Sequence, residues 1–75
     1  MGYTLLRAHQ LRDAIRIFQL NVEAYPRSSN VYDSLAEAFS DSGDEAKAVA
    51  NYQEALRRDP NNTRAALSLQ KLVAH

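Results

Sequence analysis

Large apolar residues advance along this chain in steps of three and four. Val31, Leu35, Ala38 and Phe39 form one such set, and Val49, Tyr52, Ala55 and Leu56 form another. That spacing places each set on one face of an α-helix. No segment alternates apolar and polar residues over the length of a strand, so the predicted class is all-α. The breaks are equally legible. Pro26-Arg27-Ser28-Ser29 and Pro60-Asn61-Asn62-Thr63 each join a helix-ending proline to residues suited to capping the next helix. Ser42-Gly43-Asp44 interrupts between them, with Gly43 fitted to a left-handed turn and Asp44 to capping a helix from Glu45. His9-Gln10 stands at the corresponding place earlier in the chain. These signals predict about five helices, at 2–9, 11–25, 30–42, 45–58 and 63–74. Short connections make successive helices antiparallel.

The pattern has a period. Pro26 and Pro60 are 34 residues apart, as are Ala14 and Ala48, Phe18 and Tyr52, Val22 and Leu56, and Gln19 and Gln53. The same shift pairs Gly2 with Ala36, Leu5 with Phe39, Leu35 with Leu69 and Phe39 with Val73. Few pairs are identities. Residue class recurs instead, small with small and large apolar with large apolar, which is what packing constrains. A helical unit of this length that repeats predicts a stack of hairpins, each burying the flank of the next.

The residues Tyr32, Leu35, Ala36, Phe39, Gly43, Ala48, Tyr52, Ala55 and Pro60 resemble, in order and spacing, the signature of the tetratricopeptide repeat, with Tyr in place of the leading Trp. The resemblance covers 29–62 as one full repeat. Gly2, Leu5, Ala14, Phe18 and Pro26 match the latter part of a preceding repeat over 1–28, and Ala66, Leu69 and Val73 match the first helix of a following one, a closing helix over 63–75. It implies a right-handed α-solenoid of stacked helical hairpins. Two departures stand out: His9 replaces the turn glycine, and Asn21 replaces the small alanine at a close helix contact. An asparagine there needs partners for its amide, and a neighbouring helix end or the side chain of Tyr32 is expected to supply them.

In that register the turn equivalent to Ser29–Ser34 lies upstream of Met1. The expectation is therefore a segment of a longer protein. The runs Leu20-Asn21-Val22-Glu23-Ala24-Tyr25-Pro26 and Asn30-Val31-Tyr32-Asp33-Ser34-Leu35 are also similar to repeat segments at the C-terminal ends of bacterial multidomain proteins, including hydrolases.

Composition narrows the function classes. Nine Lys and Arg balance nine Asp and Glu, which removes the long-range field of a nucleic-acid or anionic-membrane binder. There is no cysteine and there are two separated histidines, so neither a disulfide staple nor a structural zinc site is expected. Apolar runs fall far short of the roughly 20 residues that span a bilayer, and no secretory pattern leads the chain. The expected setting is cytoplasmic. No Gly-x-Ser-x-Gly turn, cysteine nucleophile or phosphate-cradling glycine loop is present. Asp41-Ser42-Gly43-Asp44-Glu45 lacks the spacing and closing Glu of a calcium loop. The expectation is a non-enzymatic module with no cofactor and no metal.

The resemblance also implies where a partner sits. In such stacks the first helix of each hairpin lines a concave face, and its outward side chains contact a peptide. By register these are Tyr3, Leu6 and Arg7; Asn30, Asp33, Ser34, Glu37 and Asp41; and Arg64, Leu67, Ser68 and Lys71. Asp33 and Glu37 share a helix face, giving an acidic stripe between basic flanks. Such a groove suits an extended peptide with charges of both signs. The plainer reading is a solvated face whose acids pair weakly with Arg64 and Lys71. The expected partner is a protein or peptide, including other domains of a parent protein. The alternative function is a structural appendage that packs on its parent or forms a homodimer through open repeat flanks.

Overall fold

The computed structural model describes the backbone of residues 2–74 and the side chains of residues 9–74. Its elements are α1 (Gly2–Ala24), α2 (Ser29–Asp41), α3 (Glu45–Arg58) and α4 (Thr63–Val73), with no strand among the described residues. Three connections separate them, and each follows from local chemistry. After α1, the Tyr25 amide donates to the Asn21 carbonyl at 2.8 Å, and Pro26, which has no amide hydrogen, ends the ladder. Ser28 then precedes α2 in an extended conformation, but its hydroxyl caps nothing.

The α2–α3 turn is closed by Gly43 at φ +88. The Asp44 amide donates to the Phe39 carbonyl at 2.9 Å and the Gly43 amide to the Ser40 carbonyl at 3.1 Å. This is the paired closure that a left-handed residue permits at a helix end. Asp44 at once begins the next helix, accepting from the Lys47 amide at 3.2 Å. At the third connection the Asp59 carboxylate accepts from the Asn61 amide at 3.0 Å, and Asn62 caps α4 by accepting from the Ala65 amide at 3.0 Å.

The hairpin α2–α3 forms the centre of the molecule, with α1 packed on α2 and α4 on α3. Ala36, Ala48, Ala55 and Ala65 are wholly covered, and Leu35, Phe39, Tyr32 and Tyr52 fill the space around them. Alanine at the crossings lets the helix backbones approach, while the large residues occupy the gaps between hairpins. The Tyr32 hydroxyl donates to the Pro26 carbonyl at 2.9 Å and ties α2 to the preceding turn. The molecule measures 41 × 33 × 16 Å, and no large side chain among the described residues lies below 2% exposure.

The helices number four rather than five because residues 2–9 and 11–25 join into one. Every residue through His9-Gln10 tolerates helical angles, and nothing there supplies the positive φ that Gly43 gives the equivalent turn. Once started, a helix gains a hydrogen bond per added residue, so it continues unless broken. His9 Nε2 lies 3.5 Å from Asp13 Oδ2, one turn on, across the expected break. Asn21 is half-buried, and its amide forms no hydrogen bond within the described residues. Tyr32 is committed to Pro26 instead.

Candidate functional site

The geometry between α2 and α4 is set by a short polar chain. Asn62 Nδ2 donates to Ser29 Oγ at 2.8 Å, and Ser29 Oγ donates to the Ala55 carbonyl at 2.8 Å. The residue that caps α4 thus also binds the first residue of α2, which in turn binds the Ala55 carbonyl of α3. With Ala65 buried beneath, this fixes the two helices at the distance over which Arg64 spans them.

Across that gap Arg64 Nη2 donates to Glu37 Oε2 at 2.9 Å, and Arg64 Nε lies 3.7 Å from Asp33 Oδ2. The arginine side chain is 71% exposed, whereas that of Asp33 is 9% exposed. Asp33 Oδ1 is buried with no hydrogen-bond partner among the described residues. Burial raises the Asp33 pKa above the ordinary carboxylate value, Arg64 partly opposes this, and Glu37 adds to it. Beneath lies Tyr52, buried from α3. Burial also raises its phenol pKa, the Ser68 hydroxyl lowers it, the charges of Asp33 and Glu37 raise it, and Arg64 lowers it. The site is therefore a half-dry acidic wall under one exposed guanidinium.

A second concavity lies between α1 and α2. It encloses about 270 Å³ and is lined by Leu11, Ala14 and Phe18 from α1 and Ser34, Glu37, Ala38 and Asp41 from α2. Glu37 borders both places, one on each flank of α2.

The structure brings Asp33, Glu37 and Arg64 into mutual contact and places Ser68 next to Tyr52. Asn30 and Lys71 are exposed, Lys71 forms no ion pair among the described residues, and Leu67 stands 54% exposed on α4. Ser34 and Asp41 face the α1–α2 cleft rather than Arg64. Tyr3, Leu6 and Arg7 lie outside the residues whose side chains are described. The cleft residues Leu11 and Phe18 were not among the expected site. A sequence signal for them exists: Leu11 is large and apolar where Glu45 stands one period later.

Antiparallel helices joined by short turns, with alanine crossings and a left-handed glycine in the hairpin, define a helical-hairpin repeat protein. The sequence pattern of the tetratricopeptide repeat matches residues 29–72, and this chain belongs to that family. Such repeats are protein–protein interaction modules and are typically non-catalytic.

The chain is 42% identical over 50 residues to cellulose synthase operon protein C of Escherichia coli strain K12. It is equally similar to the putative cellulose synthase operon protein C of Escherichia coli O157:H7. Those matches cover 67% of this chain and 4% of each relative. No solved structure matches significantly.

Proposed function

We propose that the groove between α2 and α4 holds an extended segment of a protein partner, and that its acidic wall receives a basic side chain of that segment. The supporting observation is the state of Asp33. Its carboxylate is nearly buried, one oxygen lacks a hydrogen bond among the described residues, and the one cation paired with it there belongs to a solvent-exposed arginine. A partner's arginine or lysine competes with Arg64 for Glu37 and Asp33 on equal chemical terms and arrives with further contacts. Asn30, Glu37, Arg64, Leu67 and Lys71 line its path. On this reading, 1–28 is a partial repeat, 29–62 a full repeat and 63–75 a closing helix. The likeness to cellulose synthase operon protein C rests on repeat segments, so it supports the module and not a role in cellulose synthesis.

Titration of the isotopically labelled chain with a short arginine-alanine peptide tests this directly. The expected shifts centre on the amides of Asn30, Asp33, Glu37 and Arg64, fade with salt, and weaken about tenfold in Asp33→Asn/Glu37→Gln. A glutamate-alanine peptide is the control. Shifts confined to the far side of α3, around Glu45 and Asn51, would sink the reading. The second reading, packing against other parts of a longer protein, draws on Ile17 and Leu20, which are 57% and 58% exposed. Replacing both by serine should then leave peptide shifts intact.

A further inference from the structure

The 34-residue register compares each position with its equivalent one repeat away, and the comparison isolates what is missing around α1. Ala48 and Tyr52 on α3 are 0% and 4% exposed. Their equivalents on α1, Ala14 and Phe18, are only half-buried and open into the α1–α2 cleft. On α3 the cover includes α2, the helix one turn earlier in the chain. On α1 the corresponding cover is the segment 2–9. That segment carries the matching classes, Gly2 for Ala36 and Leu5 for Phe39. In this structure it is part of α1, one continuous helix over Gly2–Ala24, and an unbroken helix cannot fold back on itself.

We propose that the cleft is filled by residues 2–9 of a second copy of this chain, in a reciprocal exchange that gives a two-fold dimer. The fit is metric as well as chemical. Eight helical residues measure about 12 Å, and the cleft from Leu11 to Phe18 runs about 10 Å along α1. The exchange is isologous, so each copy both gives and receives the segment and the assembly closes at two. The surface supports it too. A compact chain of this mass exposes about 4600 Å², while this one exposes 5499 Å². The excess is close to the roughly 800 Å² per partner that a stable interface covers. Charge does not oppose it, because formal net charge is zero.

Sedimentation over a wide concentration range provides the test. The expected result is a dimer that dissociates on dilution, with Ala14→Glu weakening association about tenfold or more while helicity by circular dichroism is retained. The change His9→Gly/Gln10→Gly, which supplies a flexible turn, should shift the population to monomer by letting 2–9 close on its own α1. Since the chain has no cysteine, Leu5→Cys and Ala14→Cys chains can also be mixed and oxidised, and a mixed disulfide is expected. This last experiment decides the matter if Ala14→Glu fails to fold. A wild-type monomer at every concentration overturns the proposal. So does a dimer indifferent to both the Ala14 and the glycine changes, or a mixture that yields no mixed disulfide.

Discussion

Asn62 performs two tasks that are usually separate. Its side-chain oxygen caps α4 while its amide nitrogen holds Ser29, which in turn satisfies the Ala55 carbonyl. Asn62→Ala removes both and is expected to cost about 1–2 kcal/mol in urea unfolding. Ser29→Ala should cost less, and the two changes together should cost less than their sum, because the bond between them can be lost only once. Asp33 behaves in the opposite sense to most buried carboxylates with partners. Its folded pKa is raised, so the native state retains a proton that the unfolded chain releases. Stability is then full below the ordinary carboxylate range and falls as pH rises through the folded pKa. Asp33→Asn is expected to raise the melting temperature at neutral pH and flatten the dependence across the acid range. An unchanged slope in Asp33→Asn would contradict this. Gly43 and Asp44 could be assigned from sequence because a left-handed turn and a cap are local requirements. The burial of Asp33 could not, because it depends on α4, thirty residues further on, and on Tyr52 beneath.

The helices themselves were legible where punctuation is strong. Prolines 26 and 60 and Gly43 set three connections, and the observed spans Ser29–Asp41, Glu45–Arg58 and Thr63–Val73 follow them closely. The continuity of α1 was hidden because a repeat register reports which residues are equivalent, not whether a turn is energetically enforced. At Gly43 it is enforced by backbone freedom, and at His9 nothing enforces it. Packing between elements is less forgiving. Ala48 and Ala36 are 0% exposed where α2 and α3 meet, and Ala48→Leu should push the two helices apart. The expected cost is about 1–3 kcal/mol, read as a lower denaturation midpoint, and in the dilute, dissociated chain the equivalent Ala14→Leu should cost much less because the cleft of a single copy has room. Equal costs at the two positions under those dilute conditions would mean that the cleft is closed even in a single copy.

At the scale of the molecule, four helices pack in chain order, each on the next, with little on either face. A radius of gyration of 12.6 Å exceeds the roughly 11 Å of a compact chain this long. The sum of neighbouring contacts, rather than one enclosed centre, holds such an arrangement together, so removing an end element weakens what remains. The groove and the cleft are both by-products of this layering, one on each flank of α2.

The thickness of 16 Å and the lack, among the described residues, of any large side chain below 2% exposure also govern how the protein responds to heat. Unfolding changes heat capacity in proportion to the apolar surface newly hydrated, and a slab this thin keeps more of its surface wet when folded than a compact chain of the same mass, 5499 Å² against about 4600 Å². The heat-capacity increment should fall below the roughly 0.9–1.1 kcal/mol/K of an ordinary 75-residue chain, and the transition enthalpy below about 50 kcal/mol. Calorimetry should therefore record a low, wide peak, and a stability curve so shallow that cooling neither strengthens nor weakens the fold by much.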